Sequence, residues 1–295
     1  MQYHQVQTDD NGNTYSIDMI RIKFQESKKT LQEIMTELLE ERLNDTYRKV
    51  LYSQSFKDGT YQHFFSIEYF DHGTVKMGFC FLGATREQYQ SGFIEFNPNK
   101  LAKSDEFWEF YKRLMRKASS ASLSRFDLAI DMPISRDKVL MMKDNRKYMC
   151  IMASSFDKTE YLGLRNHVGR VKLYNKQLEQ NLDYPLTRLE ITCDGENISI
   201  PYIADLRQLP KGDDGALVKA LYSHPFATEV ITLLTPYQRK KVCDAFHKCS
   251  IPFDDHCIEH MTAFAVSMAS GIKTRQINHT NRKEQAYERY IKKAL

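Results

Sequence analysis

The feature that most constrains this chain is an alternation of apolar and polar residues that recurs in short segments. A period of two is typical of strands, because successive side chains point to opposite faces of a sheet. The sequence therefore predicts a strand-rich domain whose short connections favour antiparallel pairing. The predicted strands lie at 14–24, 61–70, 74–82, 92–98, 123–132, 146–154, 160–164, 169–175 and 186–194.

Amphipathic helices are predicted between some of these strands. Ser27 and Ser104 are suitable N-cap residues, and each precedes apolar residues at helical spacing. A shorter helix is predicted near 135–143, and residues 1–13 are predicted to be a loose end. The strands and helices thus fall into two similar halves, about 14–119 and 120–196, which indicates an internal duplication.

The chain changes character after residue 199, where helices and loops replace strands. One helix is predicted from Pro236 to about 249, another at 256–270 and a basic one at 280–294. The fold class is therefore α+β, with a large curved, mainly antiparallel sheet of two pseudo-repeated halves, helices on one face and a helical C-terminal region. We divide it into a domain at 1–199 and a basic helical region at 200–295.

Composition narrows the class of protein. With 42% hydrophobic and 27% charged residues, the chain can bury a core and is not disordered. It shows no signal peptide and no apolar stretch of the roughly 20 residues that span a bilayer, so we expect no membrane partner. Its six dispersed cysteines are typical of reduced thiols in a cytoplasmic protein.

The basic residues are concentrated at the end of the chain. The net charge is +4, but residues 238–295 hold eleven Lys/Arg against six Asp/Glu, an excess of +5, which leaves about −1 for the rest. A basic end on a near-neutral body fits a surface that binds phosphates. A solvated helical tail would have the same charge.

Carboxylates lie on three of the predicted strands, on the face opposite the apolar residues. They are Glu95 and Glu190, each on the last strand of its half, and Asp127 with Asp131. Carboxylates in this arrangement suit Mg²⁺ or Mn²⁺, which keep several waters for a phosphate. Ordinary arginine–carboxylate pairs on a solvated face would explain the same pattern.

A tyrosine lies on a cationic strand face. Alternation places Tyr174 beside Arg170, Lys172 and Lys176. Nearby positive charge favours a phenolate that can attack a phosphodiester. The pattern alone does not distinguish it from the other tyrosines, of which the chain has 17 in all.

A second candidate metal site lies near the end of the chain. The density of soft ligands there could bind zinc, although no C-x₂-C pair is present and the interleaved apolar residues favour packed helices instead. The ligands are Cys243, His247, Cys249, His256, Cys257 and His260. Walker and G-x-G-x-x-G loops, a G-x-S-x-G elbow and a His-hydrophobe-His nickase pair are all missing from the sequence.

Four segments in order resemble the Rep_trans family of rolling-circle replication initiators from small Gram-positive plasmids. They are IEFNPNKL (94–101), RFDLAIDMP (125–133), KTEYLGLRNHVGRVKLYNKQLEQ (158–180) and TRLEI (187–191). The resemblance covers about 90–195 well and the first strands loosely. It departs from the family pattern at His167-Val168, just before the tyrosine strand.

The resemblance implies roles for individual residues. Tyr174 falls on the position of the family's nucleophile, and Tyr161 does not. Asp127, Glu190 and Glu95 fall on its carboxylate elements, with Asp131 as a further metal ligand. The resemblance also makes basic residues near the tyrosine plausible phosphate contacts, namely Arg125, Arg170, Lys172, Lys176 and Arg188.

The activity that the resemblance implies is nicking of a plasmid origin. The tyrosine would attack with Mg²⁺ or Mn²⁺, form a 5′-phosphotyrosine, leave a 3′-hydroxyl primer and later rejoin the strand. The implied partners are origin DNA, both duplex and extruded single-stranded hairpin, a second copy of the chain in a homodimer, and a host replicative helicase. A conjugative relaxase of the same family and a non-catalytic origin-binding protein are the alternatives.

Overall fold

The computed structural model describes residues 5–25, 33–34, 36–37, 48–57, 60–71, 75–85, 91–196, 198–223 and 227–269. The N-cap predicted at Ser27 and the basic helix predicted at 280–294 lie outside these residues. The strands are β1 (Val6–Thr8), β2 (Thr14–Gln25), β3 (Arg48–Lys57), β4 (Thr60–Asp71), β5 (Val75–Thr85), β6 (Ser91–Phe96), β7 (Ser120–Met132), β8 (Val139–Met141), β9 (Tyr148–Met152), β10 (Lys158–Leu162), β11 (Val171–Asn175), β12 (Thr187–Cys193) and β13 (Ile203–Asp205). The helices are α1 (Asp105–Lys117), α2 (Lys176–Gln180), α3 (Asp213–Ser223), α4 (Ala227–Thr232), α5 (Pro236–Lys248) and α6 (Asp255–Ala269).

Eleven of the described strands form one sheet in the order β3-β4-β5-β6-β2-β7-β12-β11-β10-β9, with β1 paired to β2. Every pairing is antiparallel. The central strands β2 and β7 each begin one half of the domain. Beside each of them lies the last strand of the same half, β6 beside β2 and β12 beside β7. The earlier strands of that half then follow in reverse order toward the edge of the sheet. The α+β class with a large, mainly antiparallel sheet is therefore confirmed, and the strand order is the same in the two halves.

The core lies on one face of this sheet. The apolar side chains of β7, such as Phe126, Leu128 and Ile130, are fully buried there. Helices α1 and α6 cover this face, and α6 packs directly on β2 and β7. Ile34 belongs to the same core. The polar members of the alternating strands consequently lie on the opposite face, which we call the open face.

Helix α1 begins as its sequence predicts. The side chain of Ser104 accepts a hydrogen bond from the backbone N–H of Phe107, and acidic residues occupy the first turn and basic residues the last, which suits the helix dipole. Its buried stripe is largely aromatic, and the Phe107 ring lies 4.8 Å from that of Phe96 on β6. This contact fixes the last strand of the first half against the helix that follows it.

The structure differs from the sequence prediction in three places. The predicted helix at 135–143 is a single 3₁₀ turn followed by β8, which pairs with β13. Arg136 is buried there because its guanidinium donates to the Lys158 and Val139 carbonyl oxygens and to Glu160. The region 1–13 includes the short strand β1, and β3 is a strand that alternation did not reveal.

The region after residue 199 is shared between two cores. Helices α3 and α5 form a second, smaller core with β8 and β13, which includes Leu140 and Phe246. Helix α6 instead completes the core of the main sheet. Helix α5 starts at Pro236, as predicted, and the structure adds an N-cap at Thr235. Among the described residues, no helix has the length and apolarity needed to cross a membrane.

Candidate active site

Tyr174 lies on β11, on the open face near the centre of the second half. Its partner in register on β12 is Arg188. Lys172, two residues earlier on β11, pairs with Glu190 on β12. The Tyr174 hydroxyl donates a 2.7 Å hydrogen bond to Oε1 of Glu190. It also lies 3.3 Å from Oε2 of Glu179 on α2. The nucleophile predicted from sequence thus has a carboxylate within hydrogen-bonding distance.

Two lysines surround the tyrosine ring. Nζ of Lys172 lies 3.6 Å from the ring centroid, and Nζ of Lys176 donates to the hydroxyl at 3.4 Å. Lys176 is buried and paired with Glu179. Burial and then the neighbouring Glu190 raise the pKa of Tyr174 above its ordinary value, although Arg188 opposes the shift. The expectation that surrounding cations favour the phenolate is therefore wrong for the free protein, because burial and the carboxylate outweigh them.

Two of the four predicted metal ligands are already paired with arginines. Asp131 accepts two hydrogen bonds from Arg188, at 2.6 and 2.7 Å, in a bidentate pair. Glu95 accepts from Arg125 at 3.1 Å and from Arg21. Such charge-assisted pairs satisfy a carboxylate without a metal ion.

Asp127 is in a different situation. Its Oδ1 accepts a 2.7 Å hydrogen bond from the hydroxyl of Thr192. Its pKa is raised to about 6, mainly by burial and also by Glu190 and Asp18, against the lowering effects of Thr192 and Arg125. A carboxyl with so little compensating positive charge is a good ligand for an added cation.

The residues around Asp127 fit a divalent cation only in part. Within the described ranges, no three His, Cys, Asp or Glu side chains form a ready-made ligand group. Asp127 and Glu190 are diagonal neighbours on β7 and β12, because Asp127 pairs with Thr192 and Glu190 with Ala129. Two carboxylates on an open face suit Mg²⁺ or Mn²⁺, since such ions are commonly held by one or two carboxylates and water.

The predicted phosphate contacts differ in availability. Arg125 and Arg188 are paired with Glu95 and Asp131, and Lys176 with Glu179. Lys172 keeps 30% of its side chain exposed and lies 3.7 Å from Glu190. The guanidinium of Arg170 stacks on the Tyr161 ring, at 4.9 Å from its centroid. Lys172 and Arg170 are therefore the predicted contacts that remain most open to a phosphate.

Sequence reasoning missed two acidic residues of the site. Asp18 lies at a β-bulge in β2, between Ile17 and Met19. Its Oδ1 accepts from Asn97 at 3.2 Å and lies 3.4 Å from the Arg188 guanidinium. The signal was the broken alternation at this point, where Ile17 and Ile20 are both buried.

Glu179 is the second acidic residue of the site that sequence reasoning missed. It lies on the short helix α2 that begins directly after the tyrosine strand, where Asn175 caps the helix. The i, i+3 spacing of Lys176 and Glu179 was the signal for their ion pair. The turn that joins β11 to α2 folds both side chains back onto Tyr174.

The cysteines and histidines near the end of the chain do not form a metal group in the described residues. Cys249 is buried at the end of α5, where its thiol donates to the Ala245 and Phe246 carbonyl oxygens. Cys257 is buried in the main core at the start of α6. Their places in the fold are those of packed helical residues, the alternative that the interleaved apolar residues favoured.

No protein-family model and no curated protein matches the sequence. One solved structure to which the chain is similar is that of a rolling circle replication initiator protein from Geobacillus stearothermophilus. The two are 14% identical, the match covers 90% of this chain and 100% of that one, and the TM-score is 0.35. A likeness this low does not assign the chain to a family.

Proposed function

We propose that this chain is an enzyme that cuts and rejoins one DNA strand to initiate rolling-circle replication, with Tyr174 as its nucleophile. The observation that carries the proposal is the 2.7 Å hydrogen bond from the Tyr174 hydroxyl to Glu190. A hydroxyl that already donates a hydrogen bond to a carboxylate has its general base in place. The four motif segments that resemble Rep_trans initiators supply the substrate class.

The chemistry follows from this pair. The Tyr174 oxygen attacks the scissile phosphorus while its proton passes to Glu190. A phosphotyrosine bond forms, and the bond from phosphorus to the 3′ oxygen breaks. The departing oxygen takes up a proton and becomes a 3′-hydroxyl that can prime synthesis. Attack by a 3′-hydroxyl on the phosphotyrosine reverses the exchange, so the strand can be rejoined without an external energy source.

The remaining groups of the open face hold the phosphate. Lys172 lies over the Tyr174 ring and, with Arg170, offers positive charge to the non-bridging oxygens. Asp127 and Glu190 would hold a divalent ion, which when bound polarises a phosphoryl oxygen. Asp131 and Glu95 orient Arg188 and Arg125 in this arrangement. The origin duplex, the homodimer and the helicase stay predictions.

A nicking assay tests the proposal. Supercoiled plasmid carrying the cognate origin is incubated with the protein and Mg²⁺ or Mn²⁺, and relaxed circles with covalently attached protein are quantified. Tyr174→Phe should abolish both products. Tyr161→Phe is the matched control. Tyr161 lies on the neighbouring strand β10, where it pairs with Lys172 of β11 on the same face of the sheet as Tyr174.

The outcomes separate the alternatives. Equal nicking by Tyr174→Phe and wild type would show that another group is the nucleophile. Binding to the origin without any covalent product from wild type would favour a non-catalytic origin-binding protein. Transfer of a strand between DNA molecules without replication of the plasmid would favour a conjugative relaxase.

A further inference from the structure

The first half of the sheet contains a position that corresponds to Tyr174. In the second half, Lys172 on β11 pairs with Glu190 on β12, and Tyr174 pairs with Arg188, two residues before Glu190. In the first half, Phe81 on β5 pairs with Glu95 on β6, and Gly83 pairs with Phe93, two residues before Glu95. Because the two halves have the same strand order, Gly83 lies where the nucleophile would be.

The acidic part of the site is also repeated. Asp127 accepts a hydrogen bond from Thr192, two residues after Glu190. Asp18 accepts one from Asn97, two residues after Glu95. The first half therefore keeps counterparts of the carboxylates but has a glycine in place of the tyrosine.

An aromatic ring occupies the space above this glycine. A Cβ atom added to Gly83 would lie 2.3 Å from Cε1 of Phe93, so the ring covers the position that a larger side chain would need. Phe64 pairs with Gly83 from the other side, and its ring centroid lies 6.4 Å from that of Phe93. Because Gly83 has no side chain, the half-buried rings of Phe64 and Phe93 on the two flanking strands form one surface across three strands.

Cations accompany the rings. The Arg21 guanidinium stacks on Phe93, 4.5 Å from the ring centroid. Lys23 pairs with Phe93 in register, is exposed and makes no ion pair with any described residue. The exposed ring of Phe81 continues the surface along β5. We call Arg21, Lys23, Phe64, Phe81 and Phe93 the aromatic platform.

An open cleft of about 450 Å³ lies at the platform. Its walls combine three phenylalanine side chains, one lysine and several hydroxyl and amide groups. Its lining includes Lys23, Phe24, Gln62, Phe64, Phe93 and Ser122. Rings that can stack on bases, together with cations that can contact phosphates, are the features of surfaces that bind single-stranded nucleic acid.

We propose that the aromatic platform binds bases of single-stranded DNA, at a duplicate of the active site that has glycine in place of the nucleophile. The proposal rests on the proposed function, since it assigns a place to the same strand that Tyr174 cuts. Both sites lie on the open face of one continuous sheet, so one strand can contact both. The first half then holds DNA, and only the second half cuts it.

The test measures binding apart from cleavage. The full chain carrying Tyr174→Phe is titrated into a fluorescent oligothymidylate, and the affinity is followed by fluorescence anisotropy. Adding Phe64→Leu and Phe93→Leu keeps apolar side chains but removes the rings. The affinity should fall about fivefold or more for each ring lost, as stacking predicts. Tyr237→Leu, at an exposed ring on α5, is the matched control and should bind as before.

Further measurements keep the proposal falsifiable. An oligonucleotide of abasic sites should bind equally to proteins with and without the rings, because it cannot stack. Lys23→Gln, a change at an exposed position that leaves the core intact, should weaken binding and reduce its salt dependence. Unchanged affinity in the folded double leucine variant would overturn the proposal, as would an equal loss on duplex DNA. Absence of nicking by the wild-type protein, with binding at the platform intact, would overturn the proposed function alone.

Discussion

Glu190 accepts a 2.7 Å hydrogen bond from the Tyr174 hydroxyl across two adjacent strands of the open face. The pair lies diagonally, since the direct partner of Tyr174 in register is Arg188. A buried phenol with a raised pKa cannot supply phenolate at neutral pH by itself. In the proposed mechanism, the reactivity of Tyr174 therefore depends on the carboxylate to which it donates.

Glu190→Gln should reduce nicking strongly. Glutamine can still accept the hydrogen bond from Tyr174 but cannot take the proton, and loss of a general base typically costs about 10²- to 10⁴-fold in rate. The rate of covalent complex formation on a single-stranded origin oligonucleotide measures the effect. Glu179→Gln is the comparison, because Glu179 lies 3.3 Å from the same hydroxyl. A larger loss in Glu179→Gln than in Glu190→Gln would identify Glu179 as the base.

Asp127→Asn should stabilise the metal-free protein at neutral pH. Burial raises the pKa of Asp127 from 3.8 to about 6, so the folded state holds the proton more tightly than the unfolded state. The associated stability is present below pH 4 and is lost as the pH rises through about 6. The shift corresponds to at most about 3 kcal/mol. Denaturant unfolding in chelator should show the variant more stable than wild type at pH 7.5 but not at pH 4.

The same variant tests the proposed metal site. Mn²⁺ should raise the melting temperature of wild type, because a ligand that binds only the folded state stabilises it. Asp127→Asn should lose most of that increase. A full increase in the variant would show that the ion binds elsewhere.

Arg188→Met should destabilise the fold by about 3 kcal/mol, because it leaves Asp131 without its bidentate partner in a site where both side chains are mostly buried. Replacing both residues, as Arg188→Met with Asp131→Leu, should recover much of the loss. The more accessible pair of Lys138 and Asp137 is the control, and Asp137→Asn should cost less than about 1 kcal/mol. Equal losses in the single and double variants would refute a coupled pair.

Glu160→Gln should be among the most destabilising single changes in the second half. Although burial opposes it, Arg136 and Lys158 hold the pKa of Glu160 below its ordinary value. The stability that Glu160 contributes is therefore present above about pH 4.5 and is lost as the pH falls through its lower, folded-state pKa. The substitution leaves Arg136 charged and buried, which costs about 3 to 5 kcal/mol. Thermal unfolding at pH 7 measures the loss, and Lys158→Gln, at a more exposed partner, should cost less.

Local sequence was sufficient for the second-half strands of the main sheet and for the face on which each polar residue lies. Phe126 and Leu128 are buried and Asp127 and Glu190 point to the open face, because alternation is a property of one strand and needs no partner. The Ser104 cap of α1 was predictable for the same reason. The helix predicted at 135–143 failed because a distant residue, Glu160, draws Arg136 into the interior.

The sequence by itself determined that carboxylates and a tyrosine share one face of a sheet. Only the tertiary structure decided that the Tyr174 hydroxyl donates to Glu190, that Asp131 is paired with Arg188 and that Asp127 has no such arginine pair among the described residues. It also brought the bulged Asp18 to the site and aligned Gly83 with Tyr174. Register and burial cause these differences, because they set the distance between groups on different strands and the solvent around them, and no single strand encodes either.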